Sequence, residues 1–235
     1  MKYFVLTCAS LALAASIFAQ GKPQLKDQKD KASYAIGLNI GLNFNKQKLS
    51  FNTDTFMAGI KDGLAGKPQM TEAEIRETMQ NLEKDMEGKQ KEAADKNAKD
   101  GEKFLAENKK KEGVKTTASG LQYKVIKDSN GAQPKATDTV TVNYRGTLID
   151  GTEFDSSYKR GQPATFPLNA VIKGWTEGLQ LMKVGSKYQF FIPAALGYGE
   201  RGAGGDIGPN STLIFEVELL DTKPAGEASP AATSK

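Results

Sequence analysis

The chemically most distinctive residues of this 235-residue sequence are aromatic and lie in its second half. Trp175 is the only tryptophan, and it follows an apolar pair, Val171 and Ile172, at the start of a helical pattern that Leu179 and Met182 continue. The other aromatic candidates share this half of the chain with several glycine-rich stretches, where a cleft can open, and they are Tyr144, Phe154, Phe166, Tyr198 and Phe215. Each of them alone fits an ordinary hydrophobic core. Together they predict an apolar binding pocket with Trp175 at its floor.

Two carboxylates lie close to these aromatic residues in the sequence. Glu153 and Asp155 resemble the paired acids of a glycosidase, but we expect them to point to opposite faces of a strand and not to converge on one bond. Asp155 is therefore interpreted as a hydrogen-bond acceptor that orients a neighbouring side chain.

The glycine pattern from Gly197 to Gly202 matches GxGxxG, the signature of a dinucleotide site. Such a site requires a helix directly after the glycines, whereas further glycines and Pro209 follow here. We interpret the stretch as a long ordered loop between two strands, with Tyr198 at its base.

The composition excludes several classes of chemistry. The chain contains no histidine and one cysteine, Cys8, which rules out Ser-His-Asp and Cys-His nucleophile systems and zinc sites built on His or Cys. With 32 basic and 28 acidic residues the net charge is only +4, and no basic stripe is present, so nucleic acid is not an expected partner. We expect neither a cofactor nor a metal.

The N-terminus has the three parts of a secretory signal. Lys2 precedes an apolar run from Tyr3 to Phe18, and Ala19 is followed by the small polar stretch that signal peptidases cut. Residues 1–19 are therefore a predicted signal peptide, and the expected location is the periplasm, with the outer membrane or cell surface as alternatives. An uncleaved anchor and lipidation at Cys8 remain less favoured interpretations.

The next part of the chain is predicted to be helical. Residues 20–31 are a flexible lead-in, and residues 32–86 contain three apolar helical patterns, the second capped by Asn52 or Asp54 and the third opened by a capping box of Thr71 and Glu74. Short helices of this kind cannot bury both faces alone. We therefore predict that residues 32–86 form a homodimerisation domain. The narrow seam on the third helix, which suits a partner helix, consists of Ile75, Met79, Leu82 and Met86.

The remaining segments complete an α+β fold. Residues 87–112 are a predicted solvated linker helix, in which Gly88 and Gly101 interrupt the pattern. Residues 113–222 alternate apolar and polar positions with a period of two and contain the hairpin turn signal Asp150–Gly151, which predicts an antiparallel sheet. Residues 223–235 are small and polar and are a predicted disordered tail.

Five sequence blocks, in this order, carry a family resemblance: Tyr144–Leu148, Gly151–Ser157, Val171–Trp175, Ala195–Gly199 and Leu213–Leu219. Residues 113–222 resemble the FKBP family of peptidyl-prolyl isomerases. The preceding helical part resembles the N-terminal dimerisation domain of the exported, Mip-like branch of that family. The fold that this resemblance implies is a five- or six-stranded antiparallel half-barrel wrapped around a short helix that begins near Trp175.

The resemblance also implies residue roles. Ile172 would offer its backbone N–H, and Tyr198 its hydroxyl, to carbonyls of a bound peptide, while Asp155 would face Tyr144. Proline-containing unfolded or partly folded polypeptides are the expected substrates, and a macrolide is a candidate inhibitor. The implied catalytic residues are Tyr144, Phe154, Asp155, Ile172, Trp175, Tyr198 and Phe215, and the implied substrate-binding residues are Phe166, Val171 and Ile207.

Two functions follow from these expectations. The first is isomerisation of the amide before proline, with a twisted transition state favoured by an apolar, water-poor cavity. The second is a periplasmic holdase chaperone, whose dimer cleft binds unfolded chains and whose isomerase activity is secondary. An adhesion role makes no demand on the pocket.

Overall fold

The structure is a computed structural model that describes residues 24–46 and 49–225. The predicted signal peptide, residues 1–19, lies outside the described residues, as does the predicted tail from residue 226 onward. Within the described ranges, no helix is both long and apolar enough to cross a membrane. The chain divides into two units, one ending at Asn45 and one beginning at Lys46.

The first unit contains helix α1 (Gln28–Lys46) except for its last residue, and this helix confirms the helical prediction for the segment. The helix begins at Gln28, so residues 28–31 of the predicted flexible lead-in are helical. None of its residues is buried, and its apolar side chains are largely exposed.

The second unit opens with two capped helices. In α2 (Thr53–Ala65) the Asn52 side chain accepts a hydrogen bond of 3.0 Å from Thr55 N–H, and Gly66 ends the helix in the left-handed conformation with φ of 65°. Helix α3 (Glu72–Asn108) begins with the predicted capping box, because Thr71 N–H donates to Glu74 Oε2 at 2.8 Å and Glu74 N–H donates back to Thr71 Oγ1 at 3.3 Å.

Helix α3 is continuous over 37 residues, so the helical prediction for this segment holds through Gly88 and Gly101, although these glycines interrupt the apolar pattern. Gly101 is buried, and a Cβ atom at this position would collide with the Thr212 side chain. The absence of a side chain therefore lets the helix approach the sheet domain closely. The interpretation of residues 87–112 as a solvated linker is correspondingly wrong for the last turns of the helix.

A seven-stranded antiparallel sheet follows, with neighbours in the order β1-β2-β6-β7-β3-β4 and β5 paired to β3. The resemblance implied five or six strands, and the difference lies in short edge segments. The strands are β1 (Val114–Thr116), β2 (Gln122–Lys127), β3 (Thr139–Leu148), β4 (Glu153–Ser156), β5 (Ala164–Pro167), β6 (Lys187–Ile192) and β7 (Leu213–Lys223). β3 pairs with β7 along its length and with β4 and β5 on its other edge. β7 runs one residue past the predicted domain boundary at 222.

Two further helices lie between the strands: α4 (Ser157–Arg160) after β4, and α5 (Lys173–Leu179) before β6. Two glycines bring α5 against the sheet, since a Cβ atom on Gly174 would lie 2.6 Å from Ile192 and one on Gly178 would lie 2.7 Å from Phe190. Ile192 and Phe190 are fully buried in β6. Helix α5, which contains Trp175, is therefore fixed on the face of the sheet where the hydrophobic core lies.

Candidate active site

A cavity of about 630 Å³ lies over the N-terminal turn of α5. This volume falls in the range of about 300–1,000 Å³ that is typical of ligand pockets. The structure brings together all ten residues that the sequence predicted for a site, and it adds Ala170. The predicted residues that line the cavity are Tyr144, Phe154, Asp155, Phe166, Val171, Ile172, Trp175, Tyr198, Ile207 and Phe215.

Trp175 forms the aromatic base of this cavity and is only 5% exposed. The rings of Tyr144 and Phe215 meet it edge to face, with centroids at 5.1 and 5.0 Å, and Phe166 lies at 5.4 Å with a tilt of 55°. Edge-to-face pairs at such distances are favourable arrangements of aromatic rings. The indole Nε1 is buried and has no hydrogen-bond partner among the described residues. The base therefore presents an aromatic surface to a ligand, together with one unpaired N–H.

A register shift in the β3–β4 pair places two consecutive residues in the cavity. Gly146 lies opposite Asp155 and Thr147 lies opposite Glu153, so Phe154 has no residue directly across from it. In a regular strand successive side chains alternate between faces, but here both Phe154 and Asp155 line the cavity. Gly146 allows this packing, because a Cβ atom there would lie 2.6 Å from Phe154 and 2.8 Å from Phe215.

Glu153 and Asp155 do not converge, as expected, but alternation along the strand is not the reason. Residues two apart on a regular strand share a face, and it is the register shift that separates these two. Glu153 is not among the cavity residues, and its carboxylate lies 2.6 Å from Arg145 Nε and 2.9 Å from Lys159 Nζ. Hydrogen bonds from Lys159 and then Arg145 lower the pKa of the Glu153 carboxyl.

Asp155 is held by three donors at the side of the cavity. The Tyr144 hydroxyl donates to Asp155 Oδ2, Arg160 Nη1 donates to Asp155 Oδ1, and the Ser156 N–H donates to the same oxygen at 2.8 Å. Arg160 also donates from Nη2 to the Tyr144 hydroxyl at 2.8 Å, and its guanidinium lies 5.2 Å from the Tyr144 ring centroid. Burial, followed by the hydrogen bond to Asp155, raises the pKa of the Tyr144 phenol. The Tyr144 ring is thus oriented by a charged pair on its far side.

Arg160 is the member of this network that the sequence analysis missed. Its position follows from local structure: Ser156 caps the single turn of α4 by accepting from Lys159 N–H, and Gly161 ends it with φ of 71°. This turn brings the guanidinium of Arg160 back over Asp155. The signal was an arginine five residues after the aspartate, next to a glycine able to adopt positive φ.

Besides the indole N–H of Trp175, two hydrogen-bond donors at the cavity lack partners among the described residues. Ile172 is the N-terminal cap of α5, where its carbonyl accepts from Trp175 N–H at 2.9 Å, while its own N–H makes no hydrogen bond within the described chain. The Tyr198 hydroxyl is likewise unpartnered there, and the Tyr198 side chain is 41% exposed. Burial, followed by the charge of Asp155, raises the pKa of this phenol. The two groups could donate to carbonyl oxygens of a ligand.

The site offers binding and orientation, with no activated nucleophile. In the described ranges no group of three or more His, Cys, Asp or Glu side chains is placed to hold a metal. Asp155 is the one carboxylate at the cavity, and it is already engaged by Arg160 and Tyr144. A mostly aromatic cavity with two peripheral donors can accept an apolar ring and hold the carbonyl groups on either side of it.

Comparison with protein-family models divides the chain in two. Residues 29–125 match the domain amino terminal to FKBP-type peptidyl-prolyl isomerase, and residues 130–220 match the FKBP-type peptidyl-prolyl cis-trans isomerase. The peptidyl-prolyl cis-trans isomerase Mip of Coxiella burnetii is 49% identical over 228 residues, which cover 95% of this chain and 99% of the relative. The outer membrane protein MIP of Legionella longbeachae is 44% identical over 230 residues, covering 96% and 99%.

A solved structure of an FKBP-type isomerase is also similar to this chain. The crystal structure of FkpA from Escherichia coli matches with a TM-score of 0.62 and 42% sequence identity, over 85% of this chain and 99% of that one. The matches extend through both the helical part and the sheet, so the similarity is not confined to the cavity.

Proposed function

The chain belongs to the FKBP family and is a peptidyl-prolyl cis/trans isomerase, and from this premise we propose that the cavity above Trp175 is where it rotates the X-Pro bond. The observation that carries the proposal is the enclosure of one apolar cavity by Trp175, Tyr144, Phe166 and Phe215, with two free donors at its edge. The prolyl ring rests on Trp175. The amide to be rotated lies between the aromatic walls.

The cavity accelerates rotation by changing the medium around the amide. The planar amide owes its barrier of about 18–20 kcal/mol to resonance, which separates charge between oxygen and nitrogen. The twisted transition state has lost that charge separation, so a water-poor aromatic cavity disfavours it less than it disfavours the planar form. Lowering the barrier by about 5 kcal/mol is sufficient for an acceleration of several thousandfold.

The polar residues orient the peptide and the walls. Ile172 N–H and the Tyr198 hydroxyl donate to peptide carbonyls on either side of the proline, which limits the motion of the chain while the amide turns. Asp155, held by Arg160, accepts from the Tyr144 hydroxyl and so fixes the ring that meets Trp175 edge to face. Phe154 and Phe166 form the walls, with Val171 and Ile207 beside them.

Substitution of the walls tests this assignment. Phe154→Ala and Asp155→Ala should each lower kcat/KM for a proline peptide by about tenfold or more, because the first opens the cavity to water and the second releases Tyr144 and Arg160. Tyr158→Ala, at an aromatic residue that is 49% exposed and outside the cavity, is the control and should retain full activity. Protease-coupled kinetics on the full mature chain measures all three. Wild-type rates in both cavity variants would refute the site.

Substrates of this enzyme are proline-containing polypeptides that are unfolded or partly folded. The cavity is open to solvent, so it can admit a prolyl bond within a longer chain, whereas a folded surface would have to expose the proline in an extended segment. The enzyme assists folding by removing a step that is otherwise slow, tens to hundreds of seconds per X-Pro bond. The same cavity is the candidate binding site for a macrolide inhibitor.

The helical part, residues 32–86, forms a homodimer. It presents apolar side chains that are each at least 39% exposed, in a number unusual for a monomer. On α3 three of them recur at spacings of four and three residues, which forms a narrow seam of the kind that packs against another helix. The exposed residues are Tyr34, Ile36, Leu38, Leu42, Phe51, Met57, Ile60, Leu64, Met70, Ile75, Met79 and Leu82.

Introducing charge into the seam tests dimerisation. A double variant, Met79→Lys with Leu82→Lys, should convert the protein to a monomer because two buried charges oppose association. The control, Gln80→Lys with Asn81→Lys, adds the same charge to the same turn away from the seam and should remain dimeric. Light scattering gives the mass of each. A wild-type protein with the mass of one chain would contradict the proposal.

The alternative function is that of a holdase chaperone, in which a dimer cleft lined by these helices binds unfolded chains. The isomerase assignment is preferred because the cavity combines aromatic walls with two free donors at its edge, whereas the seam on α3 is narrow enough to be covered by a partner helix. If the protein is mainly a holdase, the Phe154→Ala variant should suppress aggregation of an unfolded protein as well as the wild type does.

The mature protein works outside the cytoplasm. The signal pattern of residues 1–19 supports export, and a relative that is 44% identical is named an outer membrane protein. We place the mature chain in the periplasm, with the outer membrane or cell surface as the alternative.

N-terminal sequencing tests export. When the complete sequence is expressed in a Gram-negative host, the product released from the periplasm should begin at Gln20, since cleavage is expected after Ala19. Recovery of a protein that retains Met1 in the cytoplasmic fraction would contradict export.

A further inference from the structure

We propose that Asn97, on the C-terminal half of α3, is a positioning residue for isomerisation. It acts by holding the loop between β6 and β7, which supplies Tyr198 and Ile207 to the cavity. The last turns of α3 are thereby a functional part of the isomerase and not only a connection to it. This inference rests on the role proposed above for the Tyr198 hydroxyl.

The first step is a direct bond from the helix to the loop. Asn97 Nδ2 donates to the Pro209 carbonyl at 2.8 Å, across 112 positions of sequence, at a partly buried site. A second, longer bond runs the other way, from Asn210 Nδ2 to the Ala94 carbonyl at 3.5 Å. Proline has no N–H, so its carbonyl is the group through which the backbone of Pro209 can be held.

The residue after Pro209 connects this contact to Tyr198. Asn210 N–H donates to the Gly199 carbonyl at 2.9 Å, which closes the loop directly beside Tyr198. Among the described residues Asn210 is the one non-glycine with positive φ, 54°. A left-handed conformation of this kind is less favourable for residues with a side chain and is retained when surrounding contacts hold it. Asn97 and Pro209 provide such a contact.

Helix α3 is itself held against the sheet domain. Residues 97, 101, 104, 105 and 108 recur at helical spacing on one face of α3, and that face meets the sheet domain. Gly101 packs against Thr212, and Phe104 lies 5.9 Å from the ring of Phe191 in β6. Because these contacts hold α3 against the sheet, the hydrogen bond from Asn97 can restrict the motion of the loop. A helix that moved freely could not do so.

Two buried amides complete this anchor. Asn108 Nδ2 donates to Gln122 Oε1, and Gln122 Nε2 donates to the Leu105 carbonyl, both at 2.9 Å. Asn108 is 1% and Gln122 is 4% exposed, so these two bonds satisfy polar groups that solvent does not reach. The end of α3 is therefore tied to β2 as well as to the loop.

The expected consequence is on substrate binding. Without the Asn97 donor, the flanking strands β6 and β7 and the hydrogen bonds within the loop are retained. The Tyr198 hydroxyl, however, samples a wider range of positions. Because that hydroxyl binds a peptide carbonyl in the ground state and in the transition state alike, its loss should raise KM and leave kcat nearly unchanged. A net loss of about one hydrogen bond corresponds to about a threefold to tenfold increase in KM.

The experiment uses the full mature chain and a proline peptide. Asn97→Ala and Asn97→Asp should both raise KM, since aspartate keeps the shape of asparagine but cannot donate to a carbonyl when ionised. Asn81→Ala makes the same change at an exposed position of the same helix and should leave KM unchanged. Thermal unfolding followed by Trp175 fluorescence, with the assay run well below the transition, excludes loss of folded protein.

A double-mutant cycle with Tyr198→Phe decides whether Asn97 acts through the tyrosine. If it does, Tyr198→Phe alone raises KM, and adding Asn97→Ala has no further effect. Independent, multiplying effects overturn the inference, as does a wild-type KM for Asn97→Ala. If Tyr198→Phe alone leaves KM unchanged, the role of Tyr198 under the proposed function fails as well, and that single variant distinguishes the two failures.

Discussion

The close packing of α5 against β6 is the contact on which the site depends. Gly174 and Gly178 leave no room for a Cβ atom beneath Ile192 and Phe190, so the helix lies nearer the sheet than any other residue at these positions would allow. This contact sets the position of Trp175, whose ring then meets Tyr144 and Phe215 edge to face. The aromatic walls are arranged around an indole that the helix has already fixed.

A charged pair and a register shift complete the cavity without making it polar. The Asp155–Arg160 pair lies behind Tyr144 and orients that ring through its hydroxyl. The irregular pairing of β3 with β4 brings Phe154 to the same side as Asp155. The interior thus keeps the apolar character that favours a twisted amide, while the hydrogen bonds that fix its shape lie at the edge.

Much of this arrangement was predictable from the sequence. The strands followed from period-two alternation, α3 from its capping box, and the cavity residues from aromatic spacing and family motifs, and all ten predicted side chains line the cavity. Their individual roles stay predictions, as do the domain boundaries. Arg160 escaped because its place depends on a single helical turn, and the separation of Glu153 from Asp155 depends on a register shift that periodicity does not encode.

The docking of α3 was missed for a different physical reason. A search for apolar periodicity finds the seam of Ile75, Met79 and Leu82, but the face that meets the sheet domain is carried by amides, a glycine and one aromatic ring. Buried amides that satisfy one another leave no hydrophobic signal in the sequence. For this reason the sequence predicts a solvated linker for residues 87–112, whereas the structure shows that this face contacts the loop and β2.

The central claim is that the reaction requires a shaped apolar cavity and no proton transfer. The chain has no histidine, and the raised pKa of Tyr144 keeps its phenol protonated up to alkaline pH. The most direct test is kcat/KM for a proline peptide in H₂O and D₂O between about pH 6 and 9. The account predicts a flat pH profile and a solvent isotope ratio of about one. A bell-shaped profile with an isotope ratio of about two or more would show that a proton is transferred in the rate-limiting step, and this would contradict the claim.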